Sequence, residues 1–592
     1  MSDRHRKLIN DPDRLIAELV EGMISAHPAL LCVEGDTGRA IVARNGPRPG
    51  KVGIVVGGGS GHEPAFAGYV GKGLADAAPL GNIFASPSPA QIMDAGFAAD
   101  GGAGVLFLYG NYTGDVMNFD MASESLAEHG ITAKSFVVTD DIASAPPDRA
   151  EERRGIAGDF FVFKIAGAAA DQGLCLQDVE AAAARANAAT RTMGVALSAC
   201  ILPQTGRPNF DLPAGQMEIG MGIHGEPGIE RGPSESADAV ADRLLVPIVT
   251  ELALTNGDRV AVLVNGLGST SLLELYLLHR RVATQLADRN VEIHQSWVGE
   301  YCTSLDMEGA SITLMRLDDD LQDWLDHPCE TPALKVGQSE AVVQTLRSPK
   351  RAATKGDNKI AIDRNTLKTD GDIGPSEFLA MMRAGAEAIF AARDQLCVLD
   401  GAIGDGDHGV TMEIGWKAVL DALATTDLDM PITETCERIA EAFLSAVGAS
   451  AGPLYASAFK SAGQAVSDRL YLDAFSLALW LDGLAQGIAL RGQTQPGEKT
   501  MLDAWRPAAD AALRHAKKGS STDACLSAAS KAARIGATST ANMRSTKGRS
   551  KKLGERVLGH VDPGAESAAI LMAAWAKYWA PLHLVADDQT YT

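Results

Sequence analysis

Aromatic residues make up only 5% of the 592 positions. That scarcity argues against modules that bind single-stranded nucleic acid by stacking bases on aromatic rings. Positive charge is also in short supply: 53 Lys and Arg face 75 Asp and Glu, a formal net charge of −22. General affinity for nucleic acid or for an anionic lipid surface is therefore excluded, whereas a local cation site for a phosphorylated ligand is not. No run approaches the roughly 18 apolar residues of a membrane span. The opening residues, MSDRHRKLIND, carry none of the apolar core of a secretory signal, so the cytoplasm is the expected compartment. Eight cysteines, at 32, 175, 200, 302, 329, 397, 436 and 525, form no C-x-x-C pair. Zinc ribbons and disulfide frameworks are thereby set aside in favour of reduced, mostly buried thiols.

What is present divides the chain in two. In the first half, short apolar runs at 52–56, 105–108, 136–138 and 260–264 each end in Gly, Asn or Asp. They read as buried strands of an α/β domain, whose functional loops belong at the carboxyl ends of the strands. Around 346–359 the sequence turns polar and basic, RSPKRAATKGDNK, as an interdomain linker does. Beyond Gly374 strand signals fade. Phe378, Met382, Ile389 and Phe390 share a helix face, and alanine-rich stretches follow at 431–447 and 505–533. The expected domains are 1–340, a linker over 341–372, and a mainly helical domain over 373–592.

Three loops of the first half carry candidate chemistry. The strand KVGIVV runs into Gly57-Gly58-Gly59-Ser60-Gly61-His62-Glu63-Pro64. Its glycines bring backbone N–H groups close to a small polar ligand. The string fits neither G-x-x-x-x-G-K-[ST] nor G-x-G-x-x-G, so both common nucleotide loops lose weight. His62, just after it, reads either as a structural histidine or as a reactive one. The second loop, Asn111-Tyr112-Thr113-Gly114-Asp115, offers an aspartate that either caps the next helix or accepts a proton from a hydroxyl. The third, Ile223-His224-Gly225-Glu226-Pro227-Gly228, sets His224 beside glycine, as a surface turn residue or as a nucleophile toward a carbonyl carbon.

In the second half, Leu399-Asp400-Gly401-Ala402-Ile403-Gly404-Asp405-Gly406-Asp407-His408-Gly409 puts three carboxylates within eight residues. A pair of them 4 Å apart costs about 1 kcal/mol in water and about 4 kcal/mol at an effective dielectric of 20. A closed site would need a cation, and oxygen-only ligation suits Mg²⁺ or Ca²⁺. The D-x4-D-x-D spacing, with no glutamate at the twelfth position, is not an EF-hand. A solvated acidic turn is the other reading.

Taken together, GGGSGHEP, NYTGD and IHGEPG, with NIFASPS, NGLGSTSLLEL and VGEYCTSLDMEGASITL between and after them, resemble the dihydroxyacetone kinases across nearly the whole first half. LDGAIGDGDHG, GASAGPLY and GEKTMLD resemble the nucleotide domain of the same family. The resemblance implies two α/β subdomains that bind a small ketose, followed by an all-α helical barrel that binds ATP and Mg²⁺. It implies that His224 adds covalently to the ketone carbon as a hemiaminal, that His62 assists by proton transfer, and that Asp115 is the base for the phosphorylated hydroxyl. Gly59, Ser60, Gly61 and Gly110 would contact the ketose. Asp400, Asp405 and Asp407 would hold the metal, with His408, Thr411, Ser450, Met501 and Arg549 around the nucleotide. A homodimer is implied as well.

Two departures bear on the substrate. The family usually has Lys before NYTGD, where this chain has Gly110, and GHEPAH becomes GHEPAF with Phe66. Glycine removes a charged donor and vacates space beside Asp115, which favours erythrulose or a branched ketose, with dihydroxyacetone next. A catalytically silent ketose-binding regulator and an FAD-cyclising lyase activity are the alternative functions.

Overall fold

A computed structural model of the chain describes residues 7–337, 371–404, 406–424, 430–467 and 469–584. The chain forms two compact units, Met1–Pro349 and Lys350–Thr592. The expected linker, 341–372, lies outside the described residues save for its last two positions.

The first unit is built on two sheets. One holds β1 (Leu31–Glu34), β2 (Ala40–Ala43), β3 (Gly53–Val56), β4 (Gly58–Ser60), β5 (Ala77–Ile83), β6 (Val105–Gly110) and β7 (Ala133–Val138), in the order β1-β2-β5-β3-β6-β7 with β4 against β5. Strands β5, β3, β6 and β7 run parallel. Helices cover the faces of this sheet, so β3 and β6 are buried along their whole length and read as unbroken apolar runs. The second sheet holds β8 (Thr190–Ala196), β9 (Gln216–Ile219), β10 (Glu230–Pro233), β11 (Arg259–Gly266), β12 (Glu292–Gly299) and β13 (Gly309–Leu317), in the order β10-β9-β8-β13-β11-β12. All of its pairings are antiparallel except β11 with β12. The four runs read as strands from sequence are β3, β6, β7 and β11.

Register decides where the loops meet. In β3 and β6, Gly53 pairs with Val105 and Val56 with Leu108, so the two strands start level and β6 runs two residues further, to Gly110. The glycine loop after β3 and the Asn111–Asp115 turn after β6 therefore emerge side by side. Gly110, the last residue of β6, pairs with Val138 of β7, which brings in the following segment with Asp140 and Asp141.

The second unit is all-helical among the described residues. Its helices Pro375–Ile403, His408–Ala424, Ile432–Ala446, Ala451–Ala465, Ala474–Gly492, Leu502–Ala516, Thr522–Ser539 and Pro563–Leu584 pack in sequence order, and the last closes the ring against the first. The alanine-rich stretch 505–533 is broken by a turn into two helices. Trp480, Trp505 and Trp575 fill the interior, with ring centroids 5.4 and 5.7 Å apart. All eight cysteines are free, five of them buried. No helix among the described residues is long and apolar enough to cross a membrane.

Candidate active site

The carboxyl ends of β3 and β6 and the loop between β9 and β10 form a small pocket, with His62, His224 and Asp115 in its lining. His62 and His224 lie 162 positions apart in sequence, yet their Nε2 atoms are 3.0 Å apart. Each ring is held from its other nitrogen. His62 Nδ1 faces the carbonyl of Thr303 at 2.7 Å, and His224 Nδ1 faces Oε1 of Glu226 at 3.1 Å.

The partners suit one arrangement of protons. A carbonyl and a carboxylate only accept, which suits hydrogen on both Nδ1 atoms. A hydrogen bond across the Nε2–Nε2 contact would need one further proton, giving the two rings three protons and one positive charge between them. Glu226 is the compensating anion, and its other oxygen accepts from the His224 backbone N–H at 3.0 Å. Behind Glu226 stands the buried Arg154, 3.8 Å away, itself bonded to Asp141 at 2.7 Å. The edge of Tyr112 packs on His224 with ring centroids 4.6 Å apart, and Phe84 stacks on His62 at 5.0 Å.

The backbone around His224 does not depend on its ring. Asn209 donates to the His224 carbonyl at 2.9 Å, and Gly225 turns the chain at φ +85°, where an added Cβ would stand 2.5 Å from the Asn209 amide nitrogen. On the opposite wall, the Asn265 side chain accepts from the backbone N–H groups of Tyr301 and Cys302, fixing the loop that presents the Thr303 carbonyl. Glu226, Thr303 and Asn265 occur inside strings noted in the sequence. Only their proximity in space reveals what they do.

Asp115 occupies the first turn of the helix Thr113–Glu128, whose N-cap has no side-chain cap bond. Its carboxyl group lines the pocket instead of capping the helix. Of the expected ketose contacts, Gly59 and Gly110 line the pocket and Ser60 and Gly61 do not. The buried Ser60 hydroxyl donates to the Gly81 carbonyl at 2.8 Å, and the Gly61 N–H bonds the Glu63 carboxylate at 3.0 Å.

Gly110 also corrects an expectation. The space its missing side chain was expected to vacate is taken: a Cβ there would lie 3.0 Å from the Gly155 carbonyl oxygen and 3.0 Å from the Tyr112 ring. Gly155 approaches so closely that its own Cβ would stand 2.5 Å from the Gly110 Cα. Restoring the family's lysine, Gly110→Lys, must therefore push Tyr112 against His224. Overpacking of this kind costs about 1–3 kcal/mol. The expected result is a lower kcat/KM for every ketose, measured in parallel on three- and four-carbon acceptors, and not a simple exchange of specificity.

In the helical unit, Asp400 lies in the last turn of Pro375–Ile403, and its Oδ2 accepts the backbone N–H groups of Asp407 at 3.0 Å and His408 at 3.2 Å. Asp405 lies outside the described residues, and among those described no three metal-ligating side chains converge. Burial, with Asp400 beside it, pushes the Asp407 carboxyl up to about 7. Burial likewise pushes Asp562 up to about 7, with Asp400 and Asp503 adding to the rise and Lys499 opposing it. An oxygen-only, anionic and partly dehydrated donor set of this kind fits a hard divalent cation. His408 meets Ser567 at 3.0 Å, which ties the start of the second helix to the amino-terminal part of the last. Thr411 and Met501 are buried close by in sequence or space, Met501 next to Gly564. Ser450 precedes the helix Ala451–Ala465, and the side chain of Arg549 lies outside the described residues. Lys499 was visible only as part of GEKTMLD.

Comparison with known proteins follows this division. Residues 21–333 match the Dak1 domain and residues 402–577 the DAK2 domain. The chain is similar to a D-erythrulose kinase of Mycolicibacterium smegmatis, 39% identical over 95% of this chain and 97% of that protein. It is also similar to an L-erythrulose 1-kinase of the same organism, 38% identical over 96% and 99%. Among solved structures it is similar to the dihydroxyacetone kinase of C. freundii in complex with AMP-PNP and Mg²⁺, 30% identical, with a TM-score of 0.52 over 97% of this chain and 99% of that one.

Proposed function

Because the chain belongs to the dihydroxyacetone kinase family, we propose that its phosphoryl acceptor is a four-carbon or branched ketose held through its carbonyl on His224, with dihydroxyacetone a poorer acceptor. The protein is an ATP-dependent ketose kinase that uses Mg²⁺. The observation that carries the covalent reading is the proton-sharing pair of His62 and His224, backed by Glu226, in one pocket with Asp115.

The donor count gives the first step its protons. His224 Nε2 adds to the ketone carbon, the carbonyl π pair moves to oxygen, and that oxygen takes the shared proton from His62 Nε2. The positive charge passes from the proton-sharing pair to the alkylated His224 ring, where Glu226 stands ready to stabilise it. A polyol without a carbonyl cannot take this step. Asp115 then accepts the proton of the terminal hydroxyl as its oxygen attacks the γ-phosphorus and ADP departs. Asp400 and Asp407, with Asp405 next to them in sequence, would hold Mg²⁺, which would supply neutralisation of the charge on the transferring phosphoryl group.

The four-carbon preference draws support from the two erythrulose kinases, whose opposite stereochemical names at nearly equal identity leave the enantiomer open to measurement. Competition between D-erythrulose, L-erythrulose and dihydroxyacetone for limiting enzyme and Mg²⁺-ATP tests it. One erythrulose enantiomer should exceed dihydroxyacetone in kcat/KM by roughly tenfold or more. Dihydroxyacetone as the best acceptor would refute the preference. The active species is proposed to be a homodimer, and sedimentation of active enzyme at 62.0 kDa, the mass of one chain, would contradict that.

A further inference from the structure

Asp159 opens the helix Asp159–Asp171 and is 2% exposed, yet it lines the ketose pocket beside Gly110, Asp115 and His224. Its Oδ1 is buried and has no hydrogen-bond partner among the described residues. A buried carboxyl oxygen left in that state opposes folding and calls for a ligand or a role. Backbone glycine keeps it open to the pocket: a methyl group on Gly155 would stand 3.0 Å from this oxygen.

The other polar side chains in the lining are accounted for. His62 and His224 serve the carbonyl, Asp115 serves the reacting hydroxyl, and the Tyr112 hydroxyl donates to the Gly155 carbonyl at 3.0 Å. The remaining lining is glycine, Phe66 and Ile223. A three-carbon ketose has a carbonyl and two terminal hydroxyls, whereas a tetrulose adds one secondary hydroxyl that needs a partner of its own.

We propose that Asp159 is a specificity-determining residue whose carboxyl group bonds this additional hydroxyl of a four-carbon ketose. The proposal rests on the ketose-kinase reading above. It also supplies a substitute for the donor lost where Gly110 replaces the family's lysine.

The charge state suits that task. Burial holds the Asp159 carboxyl well above the usual carboxylate range, and the carboxyls of Asp140 and Asp115 push it further the same way. The amino end of the helix favours an anion, but no side-chain cap bond forms there, and the Asp159 N–H is spent on the Ile156 carbonyl at 3.1 Å. Burial therefore opposes the charge and favours the protonated form. A neutral carboxyl both donates and accepts, as a secondary hydroxyl does.

The test compares kcat/KM for erythrulose, as the better enantiomer, and for dihydroxyacetone in the full-length enzyme, in Asp159→Ala and in Asp159→Asn, with kcat and KM resolved separately. Asp159→Ala should lower the erythrulose-to-dihydroxyacetone ratio by about tenfold, the order expected for one hydrogen bond to the substrate. The loss should fall mainly on KM for erythrulose. Asp159→Asn keeps the shape, one donor and one acceptor, and should hold the ratio within about threefold of wild type. An unchanged ratio in both variants, an equal loss for both ketoses, or an Asn variant as impaired as Ala would each overturn the assignment. If wild-type enzyme phosphorylates no ketose, the functional proposal fails on its own, independently of Asp159.

Discussion

Alanine in place of His224 should abolish ketose phosphorylation, with kcat/KM expected to fall by about 10³-fold or more, while the protein stays folded. The size follows from what the ring does. Covalent capture, as proposed, would make the substrate part of the protein, and well-oriented intramolecular reactions reach effective molarities of about 10⁵–10⁸ M, so a loss of 10³ is a conservative floor. The variant would also remove the Nε2 contact of His62 with His224 and, with it, the addition that His62 is proposed to assist. The fold survives because Asn209 holds the His224 carbonyl and Glu226 holds its N–H, neither through the imidazole. Steady-state ADP release measures the loss, and the thermal melt checks the fold. Near-normal turnover in a folded variant would remove covalent capture from the mechanism.

The second large effect separates the two units. Asp407→Asn should weaken Mg²⁺-ATP use by about 10²-fold or more, since a metal acting on phosphoryl oxygens is worth several kcal/mol. Ketose binding measured by calorimetry should be unchanged, because the His224 pocket is built wholly from the first unit. Loss of ketose affinity with ATP affinity retained would reverse the assignment. Asp407 is the cleaner target than Asp400, whose carboxyl also fastens the backbone of Asp407 and His408.

The same substitution has a signature in stability. The Asp407 carboxyl is raised from 3.8 to about 7 by burial and by Asp400. A carboxyl raised on folding gives its full stability below the unfolded value near 3.8, and that stability is lost as pH rises through 7. In chelator, wild-type protein should therefore melt progressively lower between pH 4 and 7, and Asp407→Asn should flatten that slope. A slope equal in both proteins would show that Asp407 does not titrate as its surroundings require.

Much of this was legible in the sequence, for physical reasons that differ from place to place. The β3, β6 and β11 runs were readable because strands covered on both faces are apolar throughout, whereas the half-buried β7 showed only through its apolar end, 136–138. Strands β9 and β10 escaped because they are short and, in β10, exposed. His62, Asp115 and His224 stood out because reactive side chains in glycine-rich loops form long, specific strings. Ser60 and Gly61 were placed against the ketose by resemblance of those strings, and where the Ser60 hydroxyl goes, to the Gly81 carbonyl, could not be read there. The space beside Gly110 was judged from one missing side chain, and Gly155 and Tyr112, which fill it, come from elsewhere in the fold. Asp159 carried no signal at all. Its significance lies in burial, in an oxygen without a partner and in the pocket it faces, none of which has a sequence pattern.

The central claim is that the enzyme grips its acceptor by the carbonyl through His224. The most direct measurement is phosphorylation of a ketose against its own reduced polyol, erythrulose against the tetritol of matching configuration, under identical Mg²⁺-ATP. Both offer the same terminal hydroxyl to Asp115, and only one offers a carbon to which an imidazole nitrogen can add. The account predicts phosphorylated erythrulose and no detectable phosphorylated tetritol. Comparable kcat/KM for the two would contradict it.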